Sequence, residues 1–306
     1  MSSGSPCHIP VLFLIHRRLG PTTRVMAALR LARPEILLIA ADGPHDDPRC
    51  TQVREQVLAG IDWPCQVQAR FLDEQQGCRK AVSSALDWAF GLHEQLIILE
   101  DDCLPHPRFF PFCETMLDRF KAVPEVMQVC GSNLTGMQPA GQSYYFSRFG
   151  PIWGWASWRR AWQAYDVEMK AWAELRNSTQ LCLLCPQPFE ASWRREVLDP
   201  VHRGEVDTWD YQWAFAKLRC GGLNIIPAVN LVSNIGFGPE ATHTLNSADP
   251  RADLATQELP TPLHHPQSIT AWQEADRAYL SHVVGLPEKV CSFRGMRRIL
   301  RSIFKR

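Results

Sequence analysis

Residues Leu96–Phe110, LIILEDDCLPHPRFF, run four aliphatic side chains straight into three adjacent carboxylates, Glu100, Asp101 and Asp102. An apolar run of that length, closed by a proline-bounded turn, reads as a buried strand with its polar end at the edge of a sheet. Adjacent anions repel, and more strongly as the local dielectric falls. A positive charge is therefore expected at this place. With the period-two alternation of a strand, Glu100 and Asp102 should project to one side and Asp101 to the other. Hard carboxylate oxygens suit Mg²⁺ or Mn²⁺, which takes one or two protein carboxylates and completes its shell with phosphate and water. The plainer alternative is a solvated loop carrying three surface acids.

On either side of this stretch the chain alternates. VLFLIHRR (Val11–Arg18) reads as a strand, TTRVMAALRLA (Thr22–Ala32) as a helix, and ILLIAADGP (Ile36–Pro44) as a second strand ending on Asp42. A helix around Cys50–Ala59, a strand near Cys65–Phe71 and a helix opening after Gly77 complete the approach to the acidic triplet. Beyond it come a helix after Pro107 and a strand over Val126–Gly131. Such alternation predicts an α/β fold with an open, mainly parallel sheet flanked by helices. Ligands bind such sheets at the carboxyl ends of the strands, where Asp42 and Glu100–Asp102 both fall. Past Tyr144 the alternation fades into a glycine- and tryptophan-rich stretch, then short helices, a helix over Asp207–Gly222 and short late strands. The expected organisation is a first half (1–143) that carries the strand-end acids, a second half of the same domain (144–270) and a basic helical tail (271–306).

At 306 residues, with 45% hydrophobic and 21% charged residues, the chain is long enough for a sizeable core of ordinary globular composition. Its 32 basic and 32 acidic residues cancel, so no global field attracts nucleic acid. Eleven cysteines form no zinc spacing beyond the single Cys182–Cys185 pair, and Cys103 and Cys113 read as structural. With no signal segment, the odd count fits reduced thiols in a cytosol.

Four further places carry candidate chemistry. Asp210 in TWDYQW lies between Trp209 and Trp213; it reads either as a helix cap or as a carboxylate kept dry enough to act as a general base. His243 follows a Gly-Phe-Gly turn and would have to approach Asp102 to touch a metal or diphosphate. Trp153, Trp155 and Trp158 could stack on sugar faces or fill the core, and Gly150 and Gly154 permit close backbone approach. In the tail, Phe293, Met296, Leu300, Ile303 and Phe304 recur at helical spacing among Arg294, Arg297, Arg298, Arg301, Lys305 and Arg306. That pattern fits peripheral contact with an anionic membrane surface, or equally a docked terminal helix.

In their order along the chain, VLFLIHRR, IAADGP, ILEDDCLPHPRFF, GPIWGWASW, TWDYQW with IIPAVNLVSNIGFG, and THT resemble nucleotide-sugar glycosyltransferases of the GT-A fold. The likeness is to N-acetylglucosaminyltransferase I and to bacterial family-2-like proteins labelled hemolytic-protein-like. It implies a transferase that moves a sugar from a nucleotide-sugar donor, UDP-linked, to a hydroxyl of a glycan or lipid-linked saccharide. By position, Asp102 is then the ligand of Mn²⁺ or Mg²⁺ and His243 approaches the metal or diphosphate. Glu100 and Asp101 surround the ribose and the metal's waters, Asp42 reads the uracil, and Arg17 or Arg18 lies beside the nucleotide. Gly154 falls near donor and acceptor, and Asp210 is the base of an inverting reaction. Two departures stand out: Trp209-Asp210-Tyr211 where that enzyme has adjacent acids, and no histidine in RKAVSS (Arg79–Ser84). A sugar-phosphate nucleotidyltransferase and an inactive glycan- or nucleotide-binding protein are the alternatives.

Overall fold

The computed structural model describes residues 6–44, 46–238, 246 and 249–287. Strands and helices alternate through β1 (Val11–Ile15), α1 (Leu19–Ala32), β2 (Ile36–Ala41), α2 (Pro48–Ala59), β3 (Gln66–Phe71), α3 (Cys78–Leu92) and β4 (Gln95–Glu100). There follow β5 (Cys103–Pro105), α4 (Phe109–Arg119), β6 (Val126–Cys130), β7 (Tyr144–Ser147) and β8 (Trp155–Trp158). The short helices α5 (Arg159–Trp162), α6 (Trp172–Leu175) and α7 (Thr179–Leu184) and the longer α8 (Glu190–His202) lead into α9 (Asp210–Arg219). The chain continues through β9 (Leu223–Pro227), β10 (Val232–Asn234) and α10 (Gln273–Ala278), which runs on as a π-helical turn over Tyr279–Val284.

Among the described residues, eight strands form one sheet in the order β3-β2-β1-β4-β8-β6-β9-β7. Neighbours are parallel except at β8, which runs against both β4 and β6, and at β7, which runs against β9. The expected α/β class, an open, mostly parallel sheet flanked by helices, is what the chain adopts, in a Rossmann-like arrangement.

Both faces of the sheet are covered, which is why its inner strands read as unbroken apolar runs. In β1, Val11, Phe13 and Ile15 enter one core while Leu12 and Leu14 enter the other; in β4, Ile97 and Leu99 oppose Leu96 and Ile98. No helix among the described residues is long and apolar enough to cross a membrane. The basic tail from Ser292 to Arg306 lies outside the described residues.

The fading of the alternation past Tyr144 hid two strands, and one of them is central. β8 has only four residues and sits between β4 and β6. Its tryptophans alternate as a strand demands: Trp155 enters one core and Trp158 the other, both almost fully enclosed. Gly154, expected beside donor and acceptor, is tightly packed at the entry to β8. Its φ is +62°, and a Cβ there would stand 2.7 Å from Val232 Cγ2 and 3.2 Å from Leu99 Cδ2. Only glycine turns the chain into β8 at this closeness. Left-handed strain together with overpacking should make Gly154→Ala about 2–4 kcal/mol less stable in urea unfolding. A cost below about 1 kcal/mol would mean that the turn accommodates a Cβ after all.

Candidate active site

The positive charge anticipated beside the acidic triplet is Arg18. It closes the turn after β1 and reaches the end of the neighbouring strand β4. Its Nη1 lies 2.8 Å from Asp102 Oδ2, and its Nη2 donates to Asp101. Asp101 and Asp102 are 3% and 6% exposed, so both anions share one enclosed cation. This corrects the expectation that they point to opposite sides. β4 ends at Glu100, residues 101–102 form a turn, and a turn does not carry the period-two alternation of a strand. A Cβ on Gly236 would fall 2.1 Å from Asp102 Oδ2 and 2.5 Å from Arg18 Nη1, so the late loop can lie over this pair only as glycine.

Glu100 stands apart from the pair. Its Oε1 is buried and has no hydrogen-bond partner. Burial, with Asp102 and then Asp101 adding to it, pushes its carboxyl up to about 8. Burial also lifts Asp101, to about 6, against the opposing pull of Arg18.

A cavity of about 270 Å³ opens at the carboxyl ends of β1, β2 and β4, lined by His16, Arg17, Arg18, Asp42, Glu100 and Asp207 among others. Arg17 is half-exposed and lies 3.9 Å from Asp47, which caps α2. Asp42 is committed to the backbone: its oxygens accept the N–H groups of Gly43 at 2.8 Å, Gln76 at 2.7 Å and Gly77 at 3.0 Å. A carboxylate has about four lone-pair sites, so one remains. Asp207 has no counterpart in the sequence expectations. It accepts the N–H groups of Cys78 at 2.8 Å and Arg79 at 3.0 Å, capping α3 from 129 residues away. Nothing local in VDTWDYQW signals that role, because its partner is supplied by the fold.

Asp210 opens α9 and accepts a hydrogen bond from the Thr208 hydroxyl through Oδ1. It lines a second cavity, of about 440 Å³, walled by Phe149, Trp153, Trp193, Tyr211 and Tyr279. Of the two tryptophans beside it in sequence, Trp213 reaches this cavity and Trp209 does not; Trp209 stacks on Trp155 within the core. The tryptophan-rich stretch divides in the same way: Trp153 lines the cavity, while Trp155 and Trp158 are core. Gly150, not Gly154, is the glycine at this wall, pressed against Asn224. Asp210 is near enough to Glu100 and Cys78, on the first cavity, to act on their charge. The segment Asp207–Asp210 thus joins the two cavities. His243 lies outside the described residues.

No group of three His, Cys, Asp or Glu side chains able to hold a metal exists among the described residues. The carboxylates are nevertheless hard oxygen donors, with one oxygen orphaned on Glu100 and Asp102 held by an arginine. Such donors would fit Mg²⁺ or Mn²⁺ with one or two protein ligands and would not make a protein cage.

No protein-family model matches the chain. No curated protein matches it. Among solved structures, a UDP-glucose pyrophosphorylase complexed with UDP-glucose aligns at 9% identity and TM-score 0.31, covering 51% of this chain and 78% of its own. The 4-diphosphocytidyl-2C-methyl-D-erythritol synthase of Anaerococcus prevotii aligns at 9% identity and TM-score 0.29, covering 69% and 96%. Likenesses this distant carry no weight on chemistry, which rests on the residues themselves.

Because Glu100 is harder to ionise folded than unfolded, its charge is a cost that grows as pH rises from about 4.5 to about 8. Glu100→Gln should therefore melt higher than the parent protein at pH 8, with the gap closing toward pH 4.5. Equal gaps at both pH values would mean that the carboxyl ionises normally. Asp207→Ala, which uncaps α3, should cost about 1–2 kcal/mol in urea unfolding.

Proposed function

We propose that the protein is an inverting glycosyltransferase that moves a sugar from a nucleotide-sugar donor, with UDP as the nucleotide, to a hydroxyl of a glycan or lipid-linked saccharide. The observation that carries this is the segment Asp207–Asp210, whose first residue lines the cavity of cations and acids at the strand ends and whose last lines the cavity walled by aromatic rings. Two cavities joined by one short segment suit a reaction that brings a donor and an acceptor together.

The donor's nucleoside lies in the smaller cavity under this proposal, with Asp42 offering its remaining lone pair to the base. Arg17 and Arg18 face the diphosphate as charge-assisted donors. Glu100 and Asp102 are the residues that would hold Mg²⁺ or Mn²⁺. When bound, such an ion neutralises charge on the departing nucleoside diphosphate as a Lewis acid. Thr208 donates to Oδ1 of Asp210 and fixes the carboxylate's orientation, which leaves Oδ2 to take the proton of the attacking hydroxyl. The hydroxyl oxygen forms the new bond to the anomeric carbon from the face opposite the leaving phosphate. The bond from that carbon to the phosphate oxygen breaks, and the electron pair leaves with UDP. A single displacement of this kind inverts the anomeric centre. The rings of Phe149, Trp153, Trp193 and Tyr279 shape the sugar site and exclude water, which would otherwise compete as an acceptor.

Calorimetric titration of UDP with Mn²⁺, with Mg²⁺ and with EDTA tests the donor half. Metal-dependent binding that Asp102→Ala abolishes is expected; absence of nucleotide binding under every condition overturns the proposal. UDP release from a panel of UDP-sugars tests the chemistry. Asp210→Asn should slow it by about 10²–10⁴-fold with UDP affinity unchanged. Pyrophosphate release from UTP and a sugar 1-phosphate would replace the transferase with a nucleotidyltransferase.

A further inference from the structure

We infer that the larger cavity takes an acceptor bearing an anionic group, a phosphate or a carboxylate, on the sugar that reacts or on its neighbour. The word acceptor rests on the proposed transferase activity; the preference for an anion rests on this cavity's own residues. Four basic side chains line it, Arg148, Arg194, Lys217 and Arg251, and they differ in what neutralises them. Arg148 is saturated, with Nε 3.0 Å from Asp276 and its terminal nitrogens 3.1 and 2.9 Å from the two oxygens of Glu190. Arg251 pairs with Asp249.

The other two lack a counter-charge of their own. Arg194 is 4% exposed, and its Nε, buried, has no hydrogen-bond partner. Its carboxylate neighbour is Glu190 at 3.7 Å, which Arg148 already holds through both oxygens. The guanidinium lies 4.6 Å from the Trp193 ring and 5.2 Å from the Phe149 ring, so aromatic contacts fix its plane. Lys217 is 3% exposed and donates to two neutral amide oxygens, Oε1 of Gln128 and, at 2.7 Å, Oδ1 of Asn224. Its other neighbour is the Trp213 ring, 5.4 Å away, which carries no formal charge. Among the described residues Lys217 has no carboxylate partner. Burial pulls it down to about 7 and pulls Arg194 down as well.

Two enclosed cations without dedicated anions are costly unless something completes them. A phosphate or carboxylate entering the cavity would be set against Arg194 and Lys217, which both line it, and would supply the charge that neither has for itself. Lys217 and Asp210 lie two turns apart on α9, roughly 10 Å along the helix axis. That spacing keeps the anion within one or two sugar rings of the hydroxyl that Asp210 would deprotonate.

The experiment is tryptophan-fluorescence titration of the full chain, since Trp153, Trp193 and Trp213 all line the cavity. Glucose 6-phosphate, glucuronate, glucose and inorganic phosphate are the probes, and UDP is titrated separately on each protein. An anionic sugar binding at least tenfold tighter than glucose is expected, with phosphate ahead of carboxylate, or the reverse, naming the group. Lys217→Met should cut that preference about tenfold and leave UDP binding unchanged. Glucose binding as well as the anionic sugars overturns the inference without any variant having to fold. So does inorganic phosphate matching glucose 6-phosphate, because the sugar then contributes nothing. Silence toward UDP with the anion preference intact removes the transferase and leaves this site standing; the opposite pattern removes this site alone.

Discussion

The clamp of Arg18 on Asp101 and Asp102 is the constraint around which the rest of the site is arranged. Without it, two enclosed aspartates beside a third acid would face one another in a medium that screens them poorly. With it, the turn after β1 is tied to the end of the neighbouring strand β4, where Arg18 and Asp101 line the smaller cavity. The same pair explains why Gly236 must be glycine, since any side chain there would meet Asp102 and Arg18. Glu100 is left outside the clamp with a buried, unpartnered oxygen, which makes it the unsatisfied acid of the three.

A second device, the segment Asp207–Asp210, sets the relation between the two cavities. Asp207 ends the approach to α9 by capping α3, and Asp210 begins α9 one turn later. A helix start is a stiff place to mount a carboxylate, because its first residues are held by the helix behind them. Here that helix is anchored in the core by Trp213, whose Nε1 lies 2.7 Å from Oε1 of Gln128 on β6. Lys217, further along α9, donates to the same oxygen. One network thus anchors the helix that carries both Asp210 and Lys217, two of the residues lining the larger cavity.

Much of this was legible in the chain, for definite reasons. The sheet's inner strands show as aliphatic runs because both faces are buried, and the run before Glu100 placed the acidic site at a strand end. Asp210 was legible as a helix-start carboxylate near apolar rings. Other features were not. β8 is four residues long and half of it is tryptophan, so its alternation is too brief to register as a strand. Asp207, Arg194 and Lys217 look like ordinary surface residues in sequence, since their partners lie on other elements.

The sequence alone determined the α/β class, the order of the first strands and helices, and the need for a positive charge beside Glu100–Asp102, because periodicity and charge repulsion act between near neighbours. Only the tertiary structure decided that the charge is Arg18, that Asp42 is largely spent on backbone N–H groups, and that Gly154 is tightly packed. It also decided which tryptophans face a cavity and which the core, and that two buried cations lack an anion. Each of these depends on contacts between residues distant along the chain, and such contacts come into being only when the sheet closes around them.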